Sequence, residues 1–277
     1  MSLSQADFEF VRGLVCSRSA IALPGDKLYL AESRLTHLAL AEGFESISEL
    51  LNLARISPAG PLSRKIVEAM ATHETSFFRD IHFFEALRRE ILPDLIQRRS
   101  REKRLEIWSA ACSSGQEPYS MAMLLREHFP ILADWNISLL GTDLSKEILT
   151  KAKEGLYNQA EINRGLPARL LIKYFRQEAG GWRVSPEIQS MVQFRELNLI
   201  QPWPTYCRPD LLLIRNVLIY FDVEAKKNVL SQARRVLRPD SYLFLGGAET
   251  TLGLDDAFVR TAHERASCYQ LRMNVKE

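Results

Sequence analysis

Apolar residues recur at helical spacing through the first quarter of the chain: Phe8, Val11 and Val15, then Leu28, Ala31, Leu35 and Leu38, then Ile47, Leu50, Leu51 and Ala54. That spacing gives each segment one apolar stripe to bury and predicts amphipathic helices. The punctuation agrees. Asp26 precedes the second run, Gly43 follows it, Ser46 stands at a capping position before the third, and residues 56–62 (ISPAGPL) break the chain before a fourth helix expected from Ser63. Residues 1–72 are therefore expected to form a small all-α N-terminal domain. Residues 73–100 read as a linker and a connecting helix from about Ile81, with Phe84, Leu87 and Ile91 on one face. Pro93 falls at a first-turn position, where no amide donor is lost.

From residue 101 the period changes. Residues 105–110 (LEIWSA), 137–141, 210–214 (DLLLI) and 242–245 read as apolar strands, and 117–129, 145–154 and 223–236 as helices; 268–272 alternates enough to be a last, edge strand. Strands alternating with helices predict an α/β domain with a parallel sheet, here over 101–277. The alternation lapses between 157 and 198, where a polar helix-like piece precedes 180–184 (GGWRV) and 191–194. Those two stretches read as short antiparallel strands of a small β-subdomain inserted at about 174–196.

Composition narrows the field. A chain of 277 residues, 46% hydrophobic, can bury a full core and fits one or two domains. A net charge of +2, from 36 Lys+Arg against 34 Asp+Glu, lacks the strong field of a nucleic-acid binder. Residues 1–10 lack the basic-then-apolar layout of a signal peptide, and no stretch reaches the roughly 18 apolar residues of a membrane span. The expectation is a cytoplasmic protein with no direct membrane insertion. Cys16, Cys112, Cys207 and Cys268 are too scattered for a metal site or a disulfide framework, so no metal is expected.

In an open parallel sheet, ligands bind at the carboxyl ends of the strands, near the point where strand order reverses. Three strand ends carry candidate chemistry. After the first comes 109–120 (SAACSSGQEPYS), small residues that let a ligand approach backbone amides at a helix start, although Ser114 to Glu117 also fits an ordinary capping box. The second is Gly141-Thr142-Asp143, where Asp143 can accept hydrogen bonds from ribose hydroxyls, the alternative being that Asp143 or Ser145 simply caps the next helix. The third is Arg215-Asn216, directly after a buried strand, followed by Val217 to Phe221.

These residues carry a resemblance. HETSFFRD (73–80), IWSAACSSGQEPYS (107–120), GTDLS (141–145), LNL (197–199) and IRNVLIYF (214–221) resemble, in order and spacing, the signature blocks of the CheR-type chemotaxis receptor glutamate O-methyltransferases, over almost the whole chain. The resemblance implies a Rossmann-like class I methyltransferase domain that uses S-adenosyl-L-methionine, with S-adenosyl-L-homocysteine as product, behind an all-α N-terminal domain. It implies cofactor-binding positions at His73, Thr75, Arg79, Ala110, Glu117, Asp143, Asn198, Leu199, Arg215 and Asn216. Among them Asp143 would take the ribose, Asn198 and Leu199 the adenine edge, and Glu117 the cationic amino group of the methionine portion. The implied partners are the cytoplasmic methylation helices of bacterial chemoreceptors, and the implied place is the cytoplasm, at membrane receptor arrays.

A glutamate with a reference pKa near 4.3 is ionised at neutral pH, so methyl transfer to it requires alignment and water exclusion but no general base. Arg79, after Phe77 and Phe78, can hold a carboxylate of either the acceptor or the cofactor. Tyr220 is the second candidate at the reaction locus, with packing under the sheet as its alternative. Some positions depart from the family pattern: His73 stands where Asn is common, Gly247-Ala248-Glu249 stands in a block often reading His-Ser-Glu, and Asp240-Ser241 replaces a Gly pair. The second helix carries only Lys27, Arg34 and His37 as basic groups, which weakens any receptor contact made through it. The short insert at 175–182 (FRQEAGGW) predicts independence from a receptor C-terminal pentapeptide tether, and a monomer is expected. Other readings are a methyltransferase of this fold with another acceptor, RNA included, and a cofactor-binding regulatory protein. A dinucleotide oxidoreductase is disfavoured because G-x-G-x-x-G is absent.

Overall fold

The computed structural model describes residues 2–272 except 206, 262, 264 and 265, so the far end of the expected 101–277 domain lies outside the described residues. The chain divides into two units, Met1–Thr72 with Tyr220–Ala225, and His73–Ile219 with Lys226–Glu277. Among the described residues no helix is long and apolar enough to cross a membrane.

The first unit is built on α1 (Gln5–Ser19), α2 (Leu28–Ala41), α3 (Ile47–Ile56) and α4 (Pro61–Met70). Phe8, Val11, Val15, Ala31, Leu35, Leu50, Leu51 and Ala54 are buried, so the apolar stripes meet as their spacing requires. Ser46 caps α3, accepting from the Glu49 amide at 3.1 Å. Asp26 does not cap α2, because a 3-10 turn over Gly25–Lys27 runs straight into that helix. The fourth helix starts at Pro61 rather than Ser63, since proline suits a first turn whose amides have no partner in any case. Arg34 of α2 donates to the carbonyls of Ala69, Met70 and Ala71 at 3.3, 2.7 and 3.0 Å. It thus closes the open end of α4 and is committed to structure.

In the second unit, α5 (Ile81–Ala86) and α6 (Leu92–Arg98) are joined by a π turn over Leu87–Ile91. The Leu92 amide reaches back to the Leu87 carbonyl, which makes room for Pro93 to pass without breaking the helix. The large sheet then runs β1 (Arg104–Ala110), α7 (Gln116–His128), β2 (Asn136–Asp143) and α8 (Lys146–Glu154). A small sheet follows from β3 (Leu156–Tyr157), after which come α9 (Gln159–Asn163), α10 (Ala168–Tyr174), β4 (Phe175–Glu178), β5 (Gly181–Val184) and α11 (Pro186–Gln189). The chain returns through β6 (Val192–Glu196), β7 (Leu211–Ile214), α12 (Val223–Val236), β8 (Tyr242–Leu245), β9 (Phe258–Arg260) and β10 (Cys268–Leu271).

Strand order in the seven-stranded sheet is β6-β2-β1-β7-β8-β10-β9. The first five strands are parallel, and β10 runs antiparallel to both its neighbours. Leu105, Ile107, Leu139, Leu211, Leu213 and Phe244 join one core with Phe83, Leu87, Tyr119 and Met123. Alternate residues Trp108, Leu212 and Leu243 are also buried, as expected for parallel strands covered on both faces.

Two pairings differ from expectation. Residues 191–194 were expected in the small β-subdomain, but Val192–Glu196 pairs parallel with β2 and forms an edge of the large sheet; the small sheet is β3-β5-β4. Residues 268–272 were expected to form the edge strand. Instead β10 is interior, and the edge is β9, whose three residues are too short to show a period. Strand order reverses across β1 and β7, which places the binding crevice of such a sheet at their carboxyl ends.

Candidate functional site

The loop leaving β1 folds tightly over that crevice. Ala111, Ser113 and Gly115 have φ of 58°, 52° and 91°, so three of five consecutive residues are left-handed. Gly115 is also confined, because a Cβ there would stand 3.1 Å from Ala152 and 3.2 Å from the Phe194 ring. The loop is pinned to the end of β2: the Cys112 amide donates to the Thr142 carbonyl at 2.8 Å, and the Ser113 amide to Asp143 Oδ2 at 2.8 Å.

The expected alternatives at these ends resolve structurally. Ser114 bonds Gln116 Oε1 at 2.8 Å, and no side chain caps α7, so its first-turn amides are not closed by a capping box. Glu117 turns instead toward Ser109 Oγ, which donates to it at 2.8 Å, and toward Arg215 Nη1 at 2.5 Å. Capping of α8 falls to Ser145, whose hydroxyl accepts from the Ile148 amide at 3.3 Å. Asp143 is left buried at the strand end, accepting from the amides of Ser113 and Ser145. The thiol of Cys112 records the local field: burial first, then the charges of Asp143 and Glu117, push it well above the ordinary thiol range.

Arg215 is the hub on the other side. Its side chain is 2% exposed, stacks 4.0 Å from the Phe83 ring centroid, and spans Glu117 on one side and Asp80 Oδ2 at 2.5 Å on the other. It also donates to the Arg79 carbonyl at 3.1 Å. The segment 73–80 is fastened at two further points, by Ser113 Oγ donating to the His73 carbonyl at 3.0 Å and by the Phe78 amide donating to Ser120 Oγ at 2.9 Å. His73, Thr75 and Arg79 are thereby carried on a strap laid along the strand-end loop. Arg79 Nη1 donates to the Glu74 carbonyl at 2.8 Å.

Ala110 ends β1, in register with Thr142 and Ile214. Asn198 and Leu199 follow Leu197, whose amide donates to the Asp143 carbonyl at 2.9 Å, so they leave β6 beside Asp143. Asn216, at φ 59°, opens the loop after β7. Tyr220 belongs to the first unit, where its carbonyl accepts from the Ala22 amide at 2.8 Å.

Glu249, outside the candidate set, is the most heavily bonded carboxylate of this region. It is 7% exposed and accepts from the amides of Asn216 and Gly246 at Oε2 (2.9 and 2.6 Å) and of Val217 and Ile219 at Oε1 (2.9 and 3.3 Å). Gly246 is required there, since a Cβ would stand 2.7 Å from Glu249 Oε2 and 2.8 Å from the Asn216 amide nitrogen. Ser113 and Asp80 were also missed as participants. Only position marked them, next to residues that were singled out.

Asp143 at the end of β2, Glu117 in the first turn of α7, uncapped helix amides and a loop too tight for larger side chains fit a ligand that carries hydroxyl, cationic and carboxylate groups, as S-adenosylmethionine does. Four of the basic residues at 98–104 are paired with carboxylates. Arg98 pairs with Asp94, Arg99 with Asp210 and Asp240, Lys103 with Asp134, and Arg104 with Glu106.

Comparison with known proteins is consistent along the whole chain. Residues 73–266 match the family model described as CheR methyltransferase, SAM binding domain, and residues 6–60 match CheR methyltransferase, all-alpha domain. Chemotaxis protein methyltransferase 1 of Pseudomonas aeruginosa is 40% identical over 262 residues, 93% of this chain and 95% of that one. Chemotaxis protein methyltransferase Cher2 of Pseudomonas putida is 38% identical over 277 residues, 98% and 100% of the two chains. The chemotaxis protein methyltransferase of Borreliella burgdorferi is 35% identical over 245 residues, covering 87% and 86%.

Proposed function

The chain belongs to the CheR methyltransferase family, and from that membership we propose that it methyl-esterifies glutamate side chains on the cytoplasmic part of bacterial chemoreceptors, using S-adenosylmethionine. The observation that supports this most is a pair of carboxylates, Asp143 at the end of β2 and Glu117 in the first turn of α7, set on either side of one tight loop at the switch point of the sheet. The cofactor, when bound, supplies a methyl group on a cationic sulfur. Asp143 serves the ribose hydroxyls, Asn198 and Leu199 the adenine edge, and Glu117 the methionine ammonium. Both carboxylates are held in place by neutral donors or by Arg215, so they need no reorganisation to receive the ligand.

The acceptor glutamate is ionised at neutral pH, so the protein's task is to bring a carboxylate oxygen into line and keep water out. His73, Thr75 and Arg79, on the strap 73–80, cover the site, and Arg79 orients the acceptor. The protein works in the cytoplasm as a monomer at receptor arrays, and the two-residue turn between β4 and β5 supports independence from a pentapeptide tether.

The test is transfer of labelled methyl to chemoreceptor cytoplasmic fragments, followed by alkaline release of volatile methanol. Base-labile label on receptor glutamates is expected. Cofactor binding with no label on any receptor would overturn the acceptor assignment.

A further inference from the structure

The strap carries a charge arrangement that the cofactor-binding roles leave unused. Glu74 follows His73, whose carbonyl is bonded from the strand-end loop, and its side chain is half exposed. Two arginines converge on it. Arg164 pairs with the Glu74 carboxylate, and Arg79 bonds the Glu74 carbonyl. The hydrogen bond from Arg164, then the charges of Arg164 and Arg79, hold the Glu74 carboxyl below its ordinary range. Among the described residues no other carboxylate pairs with either arginine.

Arg164 is delivered by backbone fit and not by its own charge. Gly165, at φ 92°, lies so close to the strap that a Cβ would stand 2.1 Å from the Phe77 carbonyl oxygen. The two segments approach closely there through backbone alone, a contact separate from the ion pair. An ion pair this exposed adds little to stability and is easily replaced. What it leaves at the site is a glutamate carboxylate in a guanidinium pair, the same chemistry that an acidic acceptor side chain would present.

We propose that Glu74 is a placeholder for the acceptor, its carboxylate occupying Arg164 beside Arg79 until an incoming glutamate carboxylate displaces it. Arg164 then selects a carboxylate-bearing acceptor next to Arg79, while its exposure keeps the grip loose enough to leave the oxygen nucleophilic. The inference rests on the reading that the acceptor is a glutamate.

The test measures initial rates of methyl transfer to a chemoreceptor cytoplasmic fragment, at low and high salt, for the unmodified protein, Glu74→Gln, Arg164→Gln and the double variant. At low salt Glu74→Gln should lower the acceptor KM by about 3-fold and Arg164→Gln should raise it by about 3-fold. In the Arg164→Gln background the Glu74 change should have little further effect, because the two act through one contact. Salt should flatten both differences. Cofactor affinity, followed by calorimetry, should hold in all variants. An acceptor KM that rises or stays fixed in Glu74→Gln, or cofactor affinity that moves with it, overturns the placeholder. Should the unmodified protein label no receptor fragment, the acceptor reading falls and takes this inference with it; labelling with unmoved KM values removes the placeholder alone.

Discussion

Replacing Glu117 by Gln takes one negative charge out of the site while keeping every hydrogen-bonding group in it. The Gln carbonyl can face Arg215 Nη1, now 2.5 Å from the carboxylate, and its amide can donate to Ser109 Oγ, which accepts as readily as it donates. Arg215 keeps Asp80 at 2.5 Å and the Phe83 ring at 4.0 Å, although Asp80 is 49% exposed and a more screened partner than Glu117 at 13%. The structural loss is one ion-paired bond reduced to a hydrogen bond from a charged donor to a neutral acceptor, about 1 kcal/mol, or roughly 2 to 4 °C in Tm. The ligand loses more. An ammonium that faced a carboxylate forfeits a charge-assisted bond of about 1.5 to 3 kcal/mol, which weakens binding roughly 10- to 100-fold. Calorimetric titration with S-adenosylhomocysteine, which is not turned over, separates this loss from stability read by thermal melting. An affinity held within about 2-fold beside a lowered Tm would refute the reasoning, leaving Glu117 as a strut for Arg215.

Three further outcomes are expected. Arg99→Met should destabilise the protein by about 3 kcal/mol in urea unfolding, since it strands Asp210 at 1% side-chain exposure; the low end of the range applies because Arg238 remains 3.5 Å away. No change in the midpoint would mean that Arg238 alone suffices. Glu249→Gln should cost about 2 to 4 kcal/mol, because an amide nitrogen cannot accept from the two backbone donors left facing it, and hydrogen exchange should speed up at one pair of amides, Asn216 and Gly246 or Val217 and Ile219. Unaltered exchange at all four amides would contradict the clamp. In alkylation at about pH 8, exposed Cys16 should label first, because the thiolate is the reactive form. Burial pushes Cys207 to about 11 and Cys268 to about 12, and burial with the charges of Asp143 and Glu117 holds Cys112 well above the ordinary thiol range. Equal labelling of Cys112 and Cys16 in a peptide map would show that the loop opens freely.

The parts of this fold that announce themselves in sequence are those set by local period and punctuation. Ser46, the apolar stripes of α1 to α3, the doubly buried runs of β1, β7 and β8, and α12 all follow from side-chain spacing. Neighbour relations do not. Val192 and Phe194 alternate inward in β6, but alternation says that one face is buried and not which strand lies alongside, so the strand was placed in the wrong sheet. Residues 268–271 read as a strand on the same grounds, yet only the pairing of Tyr269 with both Leu243 and Arg260 makes it interior. At the site, Asp143 and Arg215 stood out because polar residues end buried strands, and Glu117 because it opens the helix after a run of small residues. Glu249 did not, because its partners are backbone amides, that of Gly246 and three in a loop 30 to 33 residues earlier, and amides leave no mark in a sequence.

Backbone strain gives an independent line to the same place. Among the described residues seven that are not glycine have positive φ, and five of them, Phe78, Asp80, Ala111, Ser113 and Asn216, lie on the strap, in the strand-end loop or at the start of the loop after β7. Each costs on the order of 1 kcal/mol or more relative to ordinary backbone. Such strain persists only where surrounding bonds over-determine it, and here they do. Ser113 is held by Asp143 and by the His73 carbonyl, Phe78 by Ser120, Asp80 by Arg215, and Asn216 by Glu249. A fold that needed these segments only as connections could have used relaxed turns. What the left-handed residues achieve is to turn the chain sharply after β1 and after β7, so that carboxylates and helix amides face one crevice. The strain and the charges are both what a site built before its ligand arrives requires.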